Sequence, residues 1–244
     1  MSVLPARLVR RVVVALAVTL GAATLVNGAS AADGQLRIMV VGDSYSARYT
    51  DETGSTARAW WSYLREDLDA AVTVSAQSGA GILMRGDNCT GVRLGDLSTL
   101  SKLRDADPDV LVIESGANDW GHCVNGVRTS HMSTPTLIKG WVDRYMKQLA
   151  ADAATVGIPK NRIYVTSFWA AQNSESTRTT IVNYYAAAAK ANGFKFVTMP
   201  RLTLRNTLDA SLGNGDRTHP NITGSRELFY QFMAASDLDA YAVR

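Results

Sequence analysis

From residue 36 onward, short apolar runs alternate with longer stretches of helical period, and no other feature limits the fold of this chain so much. The runs at 36–41, 71–75, 110–114, 162–166 and 194–199 read as strands, the first of them buried. Between them, Ile138, Trp141, Val142, Tyr145 and Leu149 recur at three- and four-residue spacing, as do Ile181, Tyr184, Tyr185 and Ala188. Two more helices are expected, one at 60–68 and one after Asn221. Thr134 stands where it would cap the helix that begins with Pro135. Strands joined through helices pair in parallel, so the expectation is an α/β fold of three layers, α/β/α, around five parallel strands. Stretches 77–95 and 121–133 are predicted as surface loops at one end of that sheet.

Residues 1–31 have a different character. Arg7, Arg10 and Arg11 precede an uncharged stretch, 12–26, and Ala29-Ser30-Ala31 supplies the small residues of a cleavage site. This is the pattern of a secretory signal, cut after Ala31, with one domain over 32–244. A retained membrane anchor is the weaker alternative, because a spanning helix needs roughly 18 to 20 apolar residues and this run holds Gly21 and Asn27. The pair Arg10-Arg11 hints at twin-arginine export. Those three arginines account for the net charge of +3, so 32–244 is balanced at 22 basic against 22 acidic side chains. No polybasic surface is expected, hence no nucleic-acid or anionic-membrane partner. The chain carries no Walker-type loop, HExxH or dinucleotide fingerprint, so neither metal nor cofactor is implied. A secreted monomer is expected.

Cys89 and Cys123 are the only cysteines. For an exported chain a disulfide is the favoured reading, closing a loop of roughly thirty residues and contributing roughly 3 to 4 kcal/mol. Two free thiols, or a zinc site with His122 and His131, are the alternatives; no CxxC or HxxxH spacing supports zinc.

Polar motifs fall just past the predicted strands: Gly42-Asp43-Ser44 after the first, Ser78-Gly79-Ala80-Gly81 after the second, Gly116-Ala117-Asn118-Asp119 after the third. That edge of a parallel sheet is where ligands bind, and a strand order of 2-1-3-4-5 would set the three motifs side by side. Far downstream comes Asp216-Arg217-Thr218-His219. Singly, each motif is equally well a turn: a serine cap, a flexible glycine pair, an asparagine at positive φ, a solvated loop.

Taken together and in this order, they resemble the SGNH hydrolases, also called the GDSL esterase and lipase family. Gly42-Asp43-Ser44 matches the first block with Tyr45 in place of leucine, and Ser78-Gly79 matches the second loosely. Gly116-Ala117-Asn118-Asp119 and Asp216-Arg217-Thr218-His219 match the third and last in full. The resemblance implies a flavodoxin-like sheet order and a secreted serine esterase working through an acyl-enzyme. Its nucleophile would be Ser44, its base His219 and the orienting acid Asp216; some secreted members use a backbone carbonyl instead of that acid. The N–H groups of Ser44 and Gly79 and the amide of Asn118 would form the oxyanion hole. The α/β-hydrolase fold fits less well, because Ser46 stands where G-x-S-x-G needs its second glycine.

Asp43, Asp119 and His122 are rivals for the acid and base roles; the two aspartates are expected instead to hold their own loops, and His122 to be a loop residue beside Cys123. Trp120 and Trp169 are candidates to contact substrate, whereas Trp60 and Trp61 are expected in the core. The substrate would be an acetylated polysaccharide, a lipid or another small ester. The alternative is a secreted carbohydrate-binding module that keeps the fold without turnover.

Overall fold

The computed structural model describes residues 25–26, 34–55, 58–129, 133–167, 175–199, 201–202, 207 and 218–242. Five strands lie in one parallel sheet: β1 (Arg37–Gly42), β2 (Ala71–Ala76), β3 (Val110–Glu114), β4 (Ile163–Thr166) and β5 (Lys195–Val197). Their order is 2-1-3-4-5, the expected one. Register aligns Gly42 with Ala76, and Val41 with Ile113, so the ends of β1, β2 and β3 meet at one edge. Leu25–Val26, inside the segment read as a signal, adds an antiparallel pair to the outer side of β2.

The helices are α1 (Ser44–Ala47), α2 (Trp60–Asp67), α3 (Leu94–Leu97), α4 (Leu100–Ala106), α5 (Pro135–Thr155), α6 (Glu175–Ala191) and α7 (Ile222–Ala235). Period-two alternation in the strands sorts them into two layers. Ile38, Val40, Val110, Val112 and Tyr164 face Trp60, Leu64, Leu228 and Phe232 of α2 and α7. Met39, Val41, Leu111, Ile113 and Val165 face Leu97, Leu103, Val142, Leu149 and Tyr185 of α3 to α6. Trp60 and Trp61 are fully buried, as expected of core residues. Thr134 caps α5 by accepting from Leu137 N–H, and Asn221 caps α7 by accepting from Gly224 N–H. Among the described residues, no helix is long and apolar enough to cross a membrane.

The two predicted surface loops are more structured than expected. Ala80, Ile82, Leu83 and Met84 are buried, and the first three join the core layer of α3 to α6. Past Gly121, Cys123–Val124 and Val127–Arg128 form a two-stranded ribbon. Its turn is Asn125-Gly126, both at positive φ, the pairing that two-residue hairpins require. Cys89 and Cys123 form a disulfide that ties the two stretches together, with Cα atoms 5.6 Å apart. That bond removes the free-thiol and zinc alternatives for these cysteines.

Candidate active site

Ser44 opens α1 directly after β1, in the first turn of a four-residue helix. Its neighbour Asp43 caps that helix: Oδ1 accepts from Tyr45 N–H at 3.0 Å, while Oδ2 accepts from the Asn118 amide at 2.8 Å. Asp43 has no exposed surface, and burial pushes its carboxyl above the usual range against the pull of these donors. One aspartate thus joins the turn after β1 to the turn after β3. The second N–H of Asn118 goes to Ala80 O at 2.9 Å, which adds the turn after β2.

Gly79 belongs to that same turn. Its φ of +71° is left-handed, and a Cβ there would run into the Asp87 backbone, so only glycine fits. Asp119 is buried and pushed upward by that burial; its carboxylate accepts from Leu83 N–H at 3.0 Å and from Tyr185 OH. Ser115 Oγ meets the same phenol at 2.6 Å. Asp43 and Asp119 hold loops, the role expected for them.

His219 comes to the segment that carries Ser44 from the other end of the chain. Its position is set by two tyrosines of the segment that follows Ser44: Tyr45 OH donates to Thr218 O at 2.9 Å, and Tyr49 OH donates to Pro220 O at 2.6 Å. The carbonyls on both sides of His219 are therefore gripped from the segment that carries Ser44. The Tyr45 and His219 rings stand 5.8 Å apart, and both Ser44 and His219 are below a tenth exposed. Tyr45, which stands where the family name has leucine, earns a structural explanation that its place in the motif did not suggest. If His219 is the base that the family resemblance implies, replacing both tyrosines with phenylalanine is expected to lower kcat for an activated ester roughly 10- to 100-fold, with little change in KM, because the imidazole loses its seat. Steady-state kinetics with p-nitrophenyl acetate would check this.

Arg48, one turn past Ser44, also lies here: Nη1 is 3.4 Å from His219 Nδ1 and Nε donates to Ser78 Oγ at 3.2 Å. It extends towards Asp87 at 3.8 Å. Asp216 and Trp169 lie outside the described residues.

A match to the model of the GDSL-like lipase/acylhydrolase family runs over residues 40–227, from β1 into α7. The chain belongs to that family. No curated protein matches it in sequence. Solved structures of similar fold include a family two carbohydrate esterase from Clostridium thermocellum in complex with cellohexaose, at 17% identity and a TM-score of 0.57. That alignment covers 82% of this chain but 62% of the esterase. Est24, a carbohydrate acetylesterase from Sinorhizobium meliloti, aligns at 16% identity and a TM-score of 0.57, covering 84% of this chain and 99% of its own. The aryl esterase of M. smegmatis aligns at 18% and 0.58, covering 85% and 100%. At such identities the likeness is one of fold.

Within this family frame, two of the remaining candidates take different places. His122 is a loop histidine whose Nδ1 meets Ser133 Oγ at 3.0 Å and Thr129 Oγ1 at 3.2 Å. Trp120, two residues past Asn118, is 38% exposed, and the Arg128 guanidinium covers its ring at 4.2 Å. The same tryptophan walls a cavity of about 180 Å³ between the first turns of α5 and α6, with Ser133, Ile138, Ser176, Thr180 and Ile181.

Proposed function

We propose that the protein is a secreted serine esterase in which Ser44 is the nucleophile, His219 the base and Asp216 the acid that orients the imidazole. The observation that supports this reading is the double tyrosine grip, which ties the residues flanking His219 to the segment that carries Ser44, across more than 170 residues of chain. In the first step His219 takes the proton of Ser44 as the hydroxyl attacks the ester carbonyl. It then gives that proton to the departing alcohol, leaving an acyl-enzyme for water to hydrolyse. The tetrahedral oxyanion is met by the N–H groups of Ser44 and Gly79 and by Asn118. Asn118 joins by turning towards the oxyanion the N–H that rests on Ala80 O, while Asp43 keeps the other.

The cavity beside Trp120 receives part of the substrate in this reading. With a volume of about 180 Å³, it suits a short acyl chain or one ring better than a long lipid tail. A panel of p-nitrophenyl esters from acetate to palmitate tests the assignment. Short acyl groups are expected to give the highest kcat/KM, and Trp120→Ala to raise KM roughly tenfold with kcat less affected. A preference for palmitate would contradict the cavity's assignment.

A further inference from the structure

We propose that Glu114 is a positioning residue of this site, an uncharged acid that donates a hydrogen bond to the Asp43 carboxylate and thereby holds the nucleophile turn and the Asn118 amide in register. The proposal rests on the serine-esterase reading above for its catalytic consequence.

Glu114 ends β3 one residue past the Val41–Ile113 pair, and both it and Asp43 are 1% exposed or less. Its Oε2 accepts from Ser46 Oγ at 2.8 Å, and Ser46 Oγ accepts in turn from Trp60 Nε1 at 3.2 Å. The carboxyl lies so close to the strand end that a Cβ on Gly42 would run into Oε2. Any side chain at Gly42 would have to displace the acid facing it. The Glu114 carboxyl is thus set against the turn that carries Asp43, and the two acids act on each other's ionisation. At this depth two ionised carboxylates would repel each other strongly, so one proton is held on the pair.

The surrounding donors decide which acid keeps it. Asp43 accepts two N–H groups, from Tyr45 and Asn118, and these stabilise its ionised form. At Glu114, burial and then the charge of Asp43 push the carboxyl well above the usual range. The proton therefore belongs to Glu114, which leaves Asp43 anionic and able to grip both turns. The other groups acting on the pair are His219, whose charge favours ionised Asp43, and Asp87, which opposes it; Asp119 in turn feels Asp43. As pH rises through the raised pKa of Glu114, the donated bond is lost and two negative charges adjoin. The stabilisation it provides is therefore present on the acid side of that pKa and fades on the alkaline side, and kcat should decline with it.

The test compares Glu114→Gln with Glu114→Leu. Glutamine keeps a donor for Asp43 and an acceptor for Ser46, so its kcat should stay within roughly threefold of wild type and the alkaline decline should vanish. Leucine removes the donor, and kcat should fall roughly 100-fold at little cost in KM. Infrared difference spectra between wild type and Glu114→Gln at neutral pH should show the C=O stretch of a protonated carboxylic acid in wild type only. A glutamine variant as slow as the leucine one, an unchanged pH profile, or no acid band lost would each overturn the proposal. Should the leucine variant fail to fold, the glutamine variant decides alone through its band and pH profile. A wild type that shows the band yet cleaves no ester would count against the esterase reading alone, since the infrared readout does not depend on turnover.

Discussion

Ser44→Ala is expected to lower kcat for p-nitrophenyl acetate by about 10⁵- to 10⁶-fold, and His219→Ala by a similar factor. The size follows from how the two groups act: an alanine leaves no atom to form the acyl-enzyme, and without the imidazole the serine proton has no acceptor. Combining the two should cost little beyond either alone, because they serve one step. Both variants should keep the fold. Ser44 caps no core cluster, and the carbonyls of Thr218 and Pro220 remain available to Tyr45 and Tyr49 when the imidazole is removed. Asp216→Asn is expected to cost about 10⁴-fold by presenting the wrong imidazole tautomer. Multiplicative losses in the double variant, or either single variant at full rate, would contradict the assignment.

Removing the Cys89–Cys123 disulfide should give the largest change in stability. The two cysteines are 34 residues apart, and the chain-entropy model assigns a loop of that length about 4 kcal/mol. For a domain of this size that corresponds to a drop in Tm of roughly 8 to 16 °C, read by calorimetry on Cys89→Ser/Cys123→Ser or on reduced protein. Activity should suffer as well at temperatures where the core survives. The bond anchors the stretch holding Gly79 to the ribbon beyond Trp120, so its loss should loosen one side of the proposed oxyanion hole and one wall of the cavity. Unchanged Tm and unchanged KM together would mean that packing of Ile82, Leu83 and Met84 holds these loops without it.

The parallel sheet was legible because a strand buried on both faces has no polar alternation to disguise it. Val110–Glu114 is bounded as the pattern predicts, and the caps Thr134 and Asn221 stand where their side chains suggest. Helices α3 and α4 were hidden by their length, since neither spans enough turns to display a period. The ribbon at Cys123–Arg128 was readable in principle: Val124-Asn125-Gly126-Val127 is a hairpin signal, masked by strands only two residues long. For the proposed site, motif order singled out Ser44, Gly79, Asn118 and His219. What it did not convey was how they are held. Tyr45 and Thr218 lie 173 residues apart, and no spacing along the chain reveals a bond between them. Glu114 went unnoticed for a different reason, because an acid ending an apolar strand reads as the chain's exit to water, whereas here it turns inward against Asp43.

The central claim, that Ser44 is a nucleophile activated by His219, is tested most directly by mapping a fluorophosphonate adduct on the folded protein by mass spectrometry. The predicted result is a single adduct on the peptide bearing Ser44, absent from Ser44→Ala and strongly slowed in His219→Ala. An adduct on another residue, or no adduct under conditions that label a known serine hydrolase, would contradict it.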